Sequence, residues 1–380
     1  MRITSVSAYV FKIPLARPFI IASGTMNNYK GVLVKVSTTG THGWGEASPS
    51  RIFPGENVRS VVRTIKQMAT RLRGRTPTLD LIKTISDPRN PSATASLDMA
   101  IHDLVGKLEG KSVRDFYTQN DRPGISSMET SMTVSVGDLN TTLGQVQALV
   151  DNGATTLKIK IGTNPPLDIE RVKAIRNLFP KVKIRLDANQ GYTEDQAVHV
   201  LKELEPLEIQ FIEQPVKRQN LIAMAHIRKK VKIPIMADES LTDFQSLENI
   251  IENDAADMIN IKIMKVGGIR EALHIAHRAL DAGIEIMVGC RIETRVGITA
   301  GTHLALAEKG IQYTDLDGHL DLKEDFITGG VLTHLGRNSI STKPGLDLDV
   351  NEKALSDYST EDNDFWRKVL SSWPFSNIYK

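Results

Sequence analysis

From about residue 130 onward, short runs of β-branched and apolar residues recur along the chain, each followed by a stretch with apolar positions at helical spacing. The runs are SMTVSV, TLKIKIG, KIRLDAN, IQFIEQP, IPIMADE, MINIKIM, EIMVGC and IQYTDLD. Marker residues on seven successive runs are Lys160, Asp187, Glu213, Asp238, Lys262, Gly289 and Asp317, and neighbouring markers stand 24 to 28 residues apart. One strand, one helix and two loops need about that length. A doubly wound open sheet also alternates in this way, but eight evenly spaced strands favour closure into a parallel barrel.

The first 125 or so residues follow a different pattern. Residues 2–13 alternate as a strand does, and VLVKVST (32–38) does so again. A turn-rich segment, HGWGEASPSRIFPGEN, follows. Helical spacing then covers 57–75 and 92–110, with Ser92 the expected N-cap of the second helix. Strands followed by helices predict an α+β unit. After the eighth barrel run no clear helix follows. Instead the Gly-rich, strand-like segments GGVLTHLGRNSIST and KPGLDLDV are expected to return to the first unit, and 361–371 reads as helix-like. The expected division is a barrel over 126–329 and a cap over 1–125 completed by 330–380.

Composition narrows the class without changing this picture. The chain has 380 residues, 41% hydrophobic and 24% charged, with a formal net charge of +2. Lys and Arg alternate with Asp and Glu, so no basic stripe points to nucleic acid. A lone cysteine, Cys290, excludes an intramolecular disulfide and a zinc ribbon. No run of signal-peptide or membrane-spanning type is present, so a cytoplasmic enzyme of small molecules is expected, one that associates into homo-oligomers.

Each barrel run begins apolar and ends polar, which is where a parallel barrel gathers its active site. Asp187, Glu213 and Asp238 end three consecutive runs. Three oxygen donors without Cys or His suit a hard divalent ion, Mg²⁺ rather than zinc, one per subunit. The competing reading is that each carboxylate caps the helix after it. Lys158 and Lys160 share one face of their strand, and Lys262 ends the sixth strand, nearly opposite the second. An amine ordinarily titrates near 10.4, too high for a base at neutral pH. Burial and a neighbouring cation are expected to lower it. The alternative is a salt bridge from each lysine to one of the acids, which does not exclude catalysis. Together these groups permit removal of the weakly acidic proton next to a carboxylate, with a second lysine returning it from the other face.

The set TLKIKIG, RLDANQ, EQP, ADES and NIKIMKVGG resembles the enolase superfamily, in its muconate-lactonising-enzyme-like subgroup, over nearly the whole chain. The resemblance implies an α/β fold: a (β/α)₇β TIM-like barrel under an α+β capping domain formed by the N-terminal region and the C-terminal tail. It implies Mg²⁺ on Asp187, Glu213 and Asp238, Lys160 and Lys262 as the acid/base pair, and Asn189 and Lys158 in support.

Several reactions run on this framework: muconate cycloisomerisation, o-succinylbenzoate synthesis, N-acylamino-acid racemisation and dipeptide epimerisation. Asp315 and Asp317 lie on one face at the end of the eighth run, and two carboxylates there would hold a cation. This D-x-D looks like the dipeptide epimerase signature, in which the pair takes the substrate's α-ammonium. A turn-capping role before Gly318 is the alternative for one of them. In the same family pattern Thr133 contacts substrate. Specificity is expected from two cap loops, FIIASGTMNNYK (19–30) and ASPSRIFPGEN (47–57). L-Ala-D/L-Glu epimerases carry an arginine in the first. This chain has Gly24 there, leaving Arg51 and Arg291 as candidate replacements and Phe53 as an apolar wall. A barrel kept only as a binding scaffold is the non-enzyme alternative. Gly267-Gly268 is expected to make a tight turn rather than an anion cradle, and His303 and Cys290 are expected to be structural.

Overall fold

The computed structural model describes residues 1–118 and 126–359. The segment 361–371 lies outside the described residues. The chain opens with a three-stranded antiparallel sheet of β1 (Ile3–Ile21), β2 (Gly24–Thr38) and β3 (His42–Ala47), followed by α1 (Val58–Leu72) and α2 (Pro91–Glu109). Asn57 caps α1 through a capping box with Ser60. The cap of α2 is Asn90, with Pro91 in the first turn, and not Ser92. Proline fixes φ at a position whose N–H would be unpaired anyway. Ser92 spends its hydroxyl and its N–H on Glu56 instead.

The segment 19–30 is not a loop. β1 and β2 run on as a hairpin to Ile21 and Gly24, turning through Ala22 and Ser23. A register irregularity between Pro14 and Phe19 marks where the hairpin leaves the cap sheet. Its outer half is tied to the barrel mouth, where the Val136 N–H donates to the Ile20 carbonyl and the Lys323 N–H to that of Pro14.

β4 (Ser127–Glu129) precedes the barrel. The eight barrel strands are β5 (Met132–Val134), β6 (Thr156–Lys160), β7 (Lys183–Asp187), β8 (Ile209–Glu213), β9 (Ile235–Ala237), β10 (Met258–Ile261), β11 (Glu285–Gly289) and β12 (Ile311–Asp315). Each falls inside its predicted run. They pair in parallel and in chain order. Ser131 N–H donates to Thr314 O at 3.1 Å, drawing the two edges together. Between the strands lie α3 (Leu139–Asp151), α4 (Pro165–Leu178), α5 (Glu194–Leu204), α6 (Leu221–Lys230), α7 (Phe244–Glu252), the short α8 (Ile263–Val266) with α9 (Ile269–Asp281), and α10 (Arg295–Ala307).

Strand alternation arranges the barrel interior in two layers. Phe211, Met236, Met258 and Met287 pack with Tyr313 as a floor, and the Arg185 guanidinium lies 5.3 Å from both the Phe211 and the Tyr313 rings. Two residues further along the same strands come Asp187, Glu213, Asp238, Asn260, Gly289 and Asp315. The apolar floor excludes water from below, and the polar layer faces the mouth.

The tail serves both units. β13 (Ile327–Gly329) pairs with β16 (Leu348–Val350) beside the cap, where Asp349 accepts from Trp44 Nε1 at 2.8 Å. β14 (Leu332–His334) and β15 (Arg337–Ser339) instead join β4, and Asn338 reaches the Leu316 carbonyl at the barrel's edge. A last helix, α11 (Glu352–Asp357), receives Tyr9 and Lys35 of the cap sheet on Glu352. Among the described residues no helix is long and apolar enough to cross a membrane.

Candidate active site

The barrel mouth gathers the predicted acids and lysines into one buried network. Lys158 Nζ lies 2.7 Å from Glu213 Oε2, 2.7 Å from Asp315 Oδ2 and 3.1 Å from Asp187 Oδ2. Lys160 Nζ lies 2.7 Å from Asp187 Oδ2 and 3.1 Å from Asn189 Oδ1. Lys262, the residue just after β10, lies 2.7 Å from Asp238 Oδ2 and 3.8 Å from Glu213 Oε1. Lys160 therefore meets the first acid of the series and Lys262 the third, from strands half a barrel apart. The salt-bridge alternative is realised for both lysines.

Three carboxylates packed this closely repel one another, and the lysines offset that repulsion. Burial and the charges of Asp187 and Asp238 push Glu213 up to about 8. Burial would raise Asp187 and Asp238 as well, but the lysines beside them hold both below the ordinary carboxylate range. Lys262 departs from expectation. Burial acts to lower it, yet Asp238 and Glu213 outweigh burial and raise it. The acids that would carry a metal are, without one, what keeps this amine protonated.

Among the described residues no three His, Cys, Asp or Glu side chains stand arranged as a metal cage, because the ammonium groups lie between the carboxylates. The donor set nonetheless fits a hard divalent cation. It is all oxygen, comes from three consecutive strand ends, and already accommodates positive charge. Glu213 Oε2 is buried and faces the Lys158 ammonium at 2.7 Å.

The eighth-strand pair divides its work. Asp315 is engaged on both oxygens, by Ser131 Oγ at 2.7 Å and by Lys158. Asp317 accepts from the Thr133 N–H at 2.7 Å, and burial with Asp315 and Asp321 pushes it up to about 7. It begins a 3-10 turn at Gly318 but makes no side-chain cap there. Thr133 thus touches the site through its backbone.

The two candidate arginines differ. Arg51 is exposed on its loop and is not brought to the acids. The Arg291 guanidinium donates to Ser48 O at 2.8 Å and to Ser50 Oγ, fastening the 47–57 loop to the end of β11. Phe53 of that loop is half-buried. Gly24, at the hairpin tip, is exposed with φ +144°. Phe19, on the same hairpin, lies 5.8 Å below the Lys160 ammonium.

Several site residues escaped the sequence reading. Lys265, on α8, is buried and donates to Asp238 Oδ1 at 2.6 Å, to the Asp238 carbonyl and to Asn260 O. Its K-x-x-K spacing from Lys262 was the available signal. Glu239, adjacent to Asp238, accepts from Asn189 Nδ2 at 3.2 Å. Asn260 donates to Glu213 Oε1 at 2.8 Å. Gly267-Gly268 makes the expected tight turn between α8 and α9, both glycines at positive φ, and just beyond it Asp98 of α2 accepts from the Ile269 N–H at 2.7 Å. His303 is buried, and its Nδ1 accepts from the Arg114 N–H at 3.2 Å.

A closed parallel barrel with strand-end acids flanked by two lysines defines a class, and the comparisons identify it. The family described as "Enolase C-terminal domain-like" matches residues 142–354. The family described as "Mandelate racemase / muconate lactonizing enzyme, N-terminal domain" matches 5–117. The chain belongs to this branch of the enolase superfamily. It is 37% identical over 355 residues to the hydrophobic dipeptide epimerase of Enterococcus faecalis, covering 92% of this chain and 97% of that one. It is 33% identical to the N-succinyl-L-Arg/Lys racemase of Bacillus cereus (94% and 98% covered) and 33% identical to the L-Ala-D/L-Glu epimerase of Bacillus subtilis (92% and 97%). The E. faecalis dipeptide epimerase complexed with Mg and the dipeptide L-Leu-L-Tyr superposes with TM-score 0.87 at 35% identity, over 92% of this chain and 100% of that one. The B. cereus racemase superposes with TM-score 0.89 at 32% identity, over 95% and 98%.

Proposed function

We propose that this chain is a Mg²⁺-dependent dipeptide epimerase that inverts the α-carbon of the C-terminal residue by 1,1-proton transfer between Lys160 and Lys262. The observation that carries the reading is the disposition of these amines, one against Asp187 and one against Asp238, from opposite sides of the barrel. Asp187, Glu213 and Asp238 would hold the ion, and Mg²⁺ bound there would fix the substrate carboxylate and stabilise the charge of the enediolate. One lysine takes the α-proton as the C–H bond breaks. The other donates a proton to the opposite face, so the carbon is inverted and the two amines exchange protonation states. Drawing the acids' charge onto a cation would also free the lysines from the pairing that raises Lys262.

Asp317 and Asp315 favour a dipeptide over an acylated amino acid, because a substrate ammonium matches their charge and an amide does not. Lys158 and Ser131 hold Asp315, so Asp317 is the carboxylate that meets the ammonium, with Thr133 orienting it. Phe19 beside Lys160, with glycine at the hairpin tip, favours an apolar side chain on the inverted residue. Cytoplasmic location and self-association are part of this reading.

Incubation of L,L-dipeptides in D₂O, followed by mass spectrometry, tests it. The expected result is Mg²⁺-dependent α-deuteration and inversion of dipeptides ending in apolar residues. Lys160→Ala and Lys262→Ala should each cut inversion by about 10²–10⁴-fold. Asp317→Asn should cripple dipeptide turnover. If N-succinyl amino acids exchange and no dipeptide does, the enzyme is a racemase of the B. cereus kind. If neither class exchanges, the catalytic reading fails.

A further inference from the structure

Asn189 stands between two groups of fixed hydrogen-bonding character. Its Oδ1 accepts from Lys160 Nζ at 3.1 Å, and its Nδ2 donates to Glu239 Oε1 at 3.2 Å. A lysine ammonium only donates, and the Glu239 oxygen facing Nδ2 accepts. The orientation of an amide is ordinarily ambiguous, since its oxygen and nitrogen have nearly the same shape. Here just one orientation satisfies both neighbours. Without Glu239 the ammonium still selects the amide oxygen, but the Nδ2 end is no longer anchored and the side chain can swing with Nζ instead of holding it.

The rest of Asn189 is held as firmly. Its backbone sits at φ +41°, a left-handed conformation that a non-glycine residue keeps only where its surroundings hold it. Its N–H donates to Asp187 Oδ1 at 2.8 Å. The Lys160 backbone is fixed from the other side, where Arg171 donates to its carbonyl at 3.0 Å. With both supports in place, Nζ rests between Asp187 Oδ2 at 2.7 Å and Asn189 Oδ1 at 3.1 Å, and the direction of the Asn189 side chain sets the second of these contacts.

Glu239 is expensive to keep in this position. It is 6% exposed, and Oε2 is buried without a hydrogen-bond partner among the described residues. A buried acceptor left unpaired is destabilising. Its contact with Asn189 supplies no packing that an apolar residue could not. A purely structural residue at this position has no need of a carboxylate.

The geometry points to Glu239 as a positioning residue for Lys160: by fixing the Asn189 amide it holds the Lys160 amine on one face of the substrate, and among the described residues it makes no hydrogen bond or ion pair with Lys262. This inference rests on the two-base reading above. It predicts an asymmetry that damage to the fold or to the metal site does not produce, since such damage slows both faces alike.

The test uses the full chain with Mg²⁺, L-Leu-L-Tyr and L-Leu-D-Tyr in D₂O. Lys160→Ala and Lys262→Ala first show which epimer loses its α-proton to which lysine. Glu239→Leu should slow exchange of the Lys160-side epimer by about 10–100-fold, the usual range for losing a group that orients a ligand or base. Exchange of the Lys262-side epimer should match that of Glu239→Gln, which likewise lacks the charge that Glu239 places near Lys262. For that epimer deuterium should appear in recovered substrate faster than inversion, since the return proton comes from a misplaced amine. Glu239→Gln, which can still accept from Nδ2, should restore most of the loss, and Asn189→Leu should reproduce the Glu239→Leu pattern if that variant fails to fold. Equal slowing of both epimers, or no slowing of either, would overturn the proposal. If wild type exchanges neither dipeptide, the dipeptide reading alone has failed. The positioning claim is then decided by crystal structures of Glu239→Leu and Asn189→Leu compared with wild type, and a Lys160 Nζ unmoved in either would overturn it.

Discussion

At the scale of single residues, the site is a set of charges that tolerate one another only as a group. Lys265 shows this best. It lies outside the reacting pair, yet its ammonium binds one oxygen of Asp238 and the Asp238 carbonyl, leaving the other carboxylate oxygen to Lys262. A ligand fixed on one oxygen presents the other in a defined direction. Lys265→Met keeps the bulk of the buried stem and removes the charge. Titration calorimetry of the variant should give a Mg²⁺ affinity about 10–100-fold weaker than wild type. An unchanged affinity would show that Asp238 needs no such support. The metal-ligand candidates and both lysines were legible in the sequence, because strand ends carry site residues and the chain places one at each period. Glu239 was not, because nothing in a sequence tells whether the neighbour of a functional residue points inward, and Lys265 was signalled only by its K-x-x-K spacing from Lys262. The raised Lys262 was also out of reach. Its sign depends on the balance between burial and two nearby carboxylates, which only distances decide.

At the scale of elements, the strand runs were read correctly because a parallel strand buried on both faces has little room for polar residues until its end. Caps were read less well. Ser92 and Asn90 are both good capping residues, and the choice fell to Pro91 and to the demand of Glu56 for a donor. The hairpin of β1 and β2 was missed beyond residue 13: the expected strand ended there and 19–30 was expected as a loop, whereas β1 runs on past Pro14 and Pro18 with a register irregularity. Contacts between elements also carry pH dependence. His303 on α10 accepts the Arg114 N–H from the turn after α2, and burial with the Arg114 charge lowers it to about 3. In the unfolded chain it titrates near 6.5. The unfolded state therefore binds the proton first. The stability tied to this group is whole above about pH 6.5 and is lost as pH falls toward 3. Between pH 7 and pH 5 that amounts to about 2 kcal/mol. Urea unfolding at both pH values should show wild type losing that much more than His303→Gln. His319 is also lowered, to about 4, but it is present in both proteins and its effect cancels. Equal losses would mean His303 is protonated in the folded chain.

At the scale of the whole molecule, the cap is joined to the barrel by buried polar groups as much as by apolar packing. The reason begins in HGWGE. A Cβ on Gly43 would fall 2.1 Å from Ala100 O, and one on Gly45 would fall 1.9 Å from Ser96 O, so only glycine lets β3 lie against α2. That close approach delivers Glu46 to the start of α10. There it accepts from Thr294 N–H, Thr294 Oγ1, Gly297 N–H and the Tyr29 hydroxyl, all at 2.7–3.1 Å. The carboxylate answers the unpaired N–H groups at the end of a helix. None of this was legible beforehand, because Glu46 and Thr294 are 248 residues apart and neither belongs to a motif. Arg291 and Asp98 add two more ties of the same kind. With its anchors buried on both sides, the cap cannot leave without exposing the barrel's helix ends. Hydrogen exchange read peptide by peptide across a urea series should therefore give β1–β3 and the barrel strands one shared midpoint. Glu46→Ala leaves four donors without their acceptor, at about 1–3 kcal/mol for each that stays buried. The β1–β3 peptides should then lose protection at lower urea than the barrel strands. Two separate midpoints in wild type, or an Ala variant with the wild-type midpoint, would mean that apolar packing alone holds the cap in place.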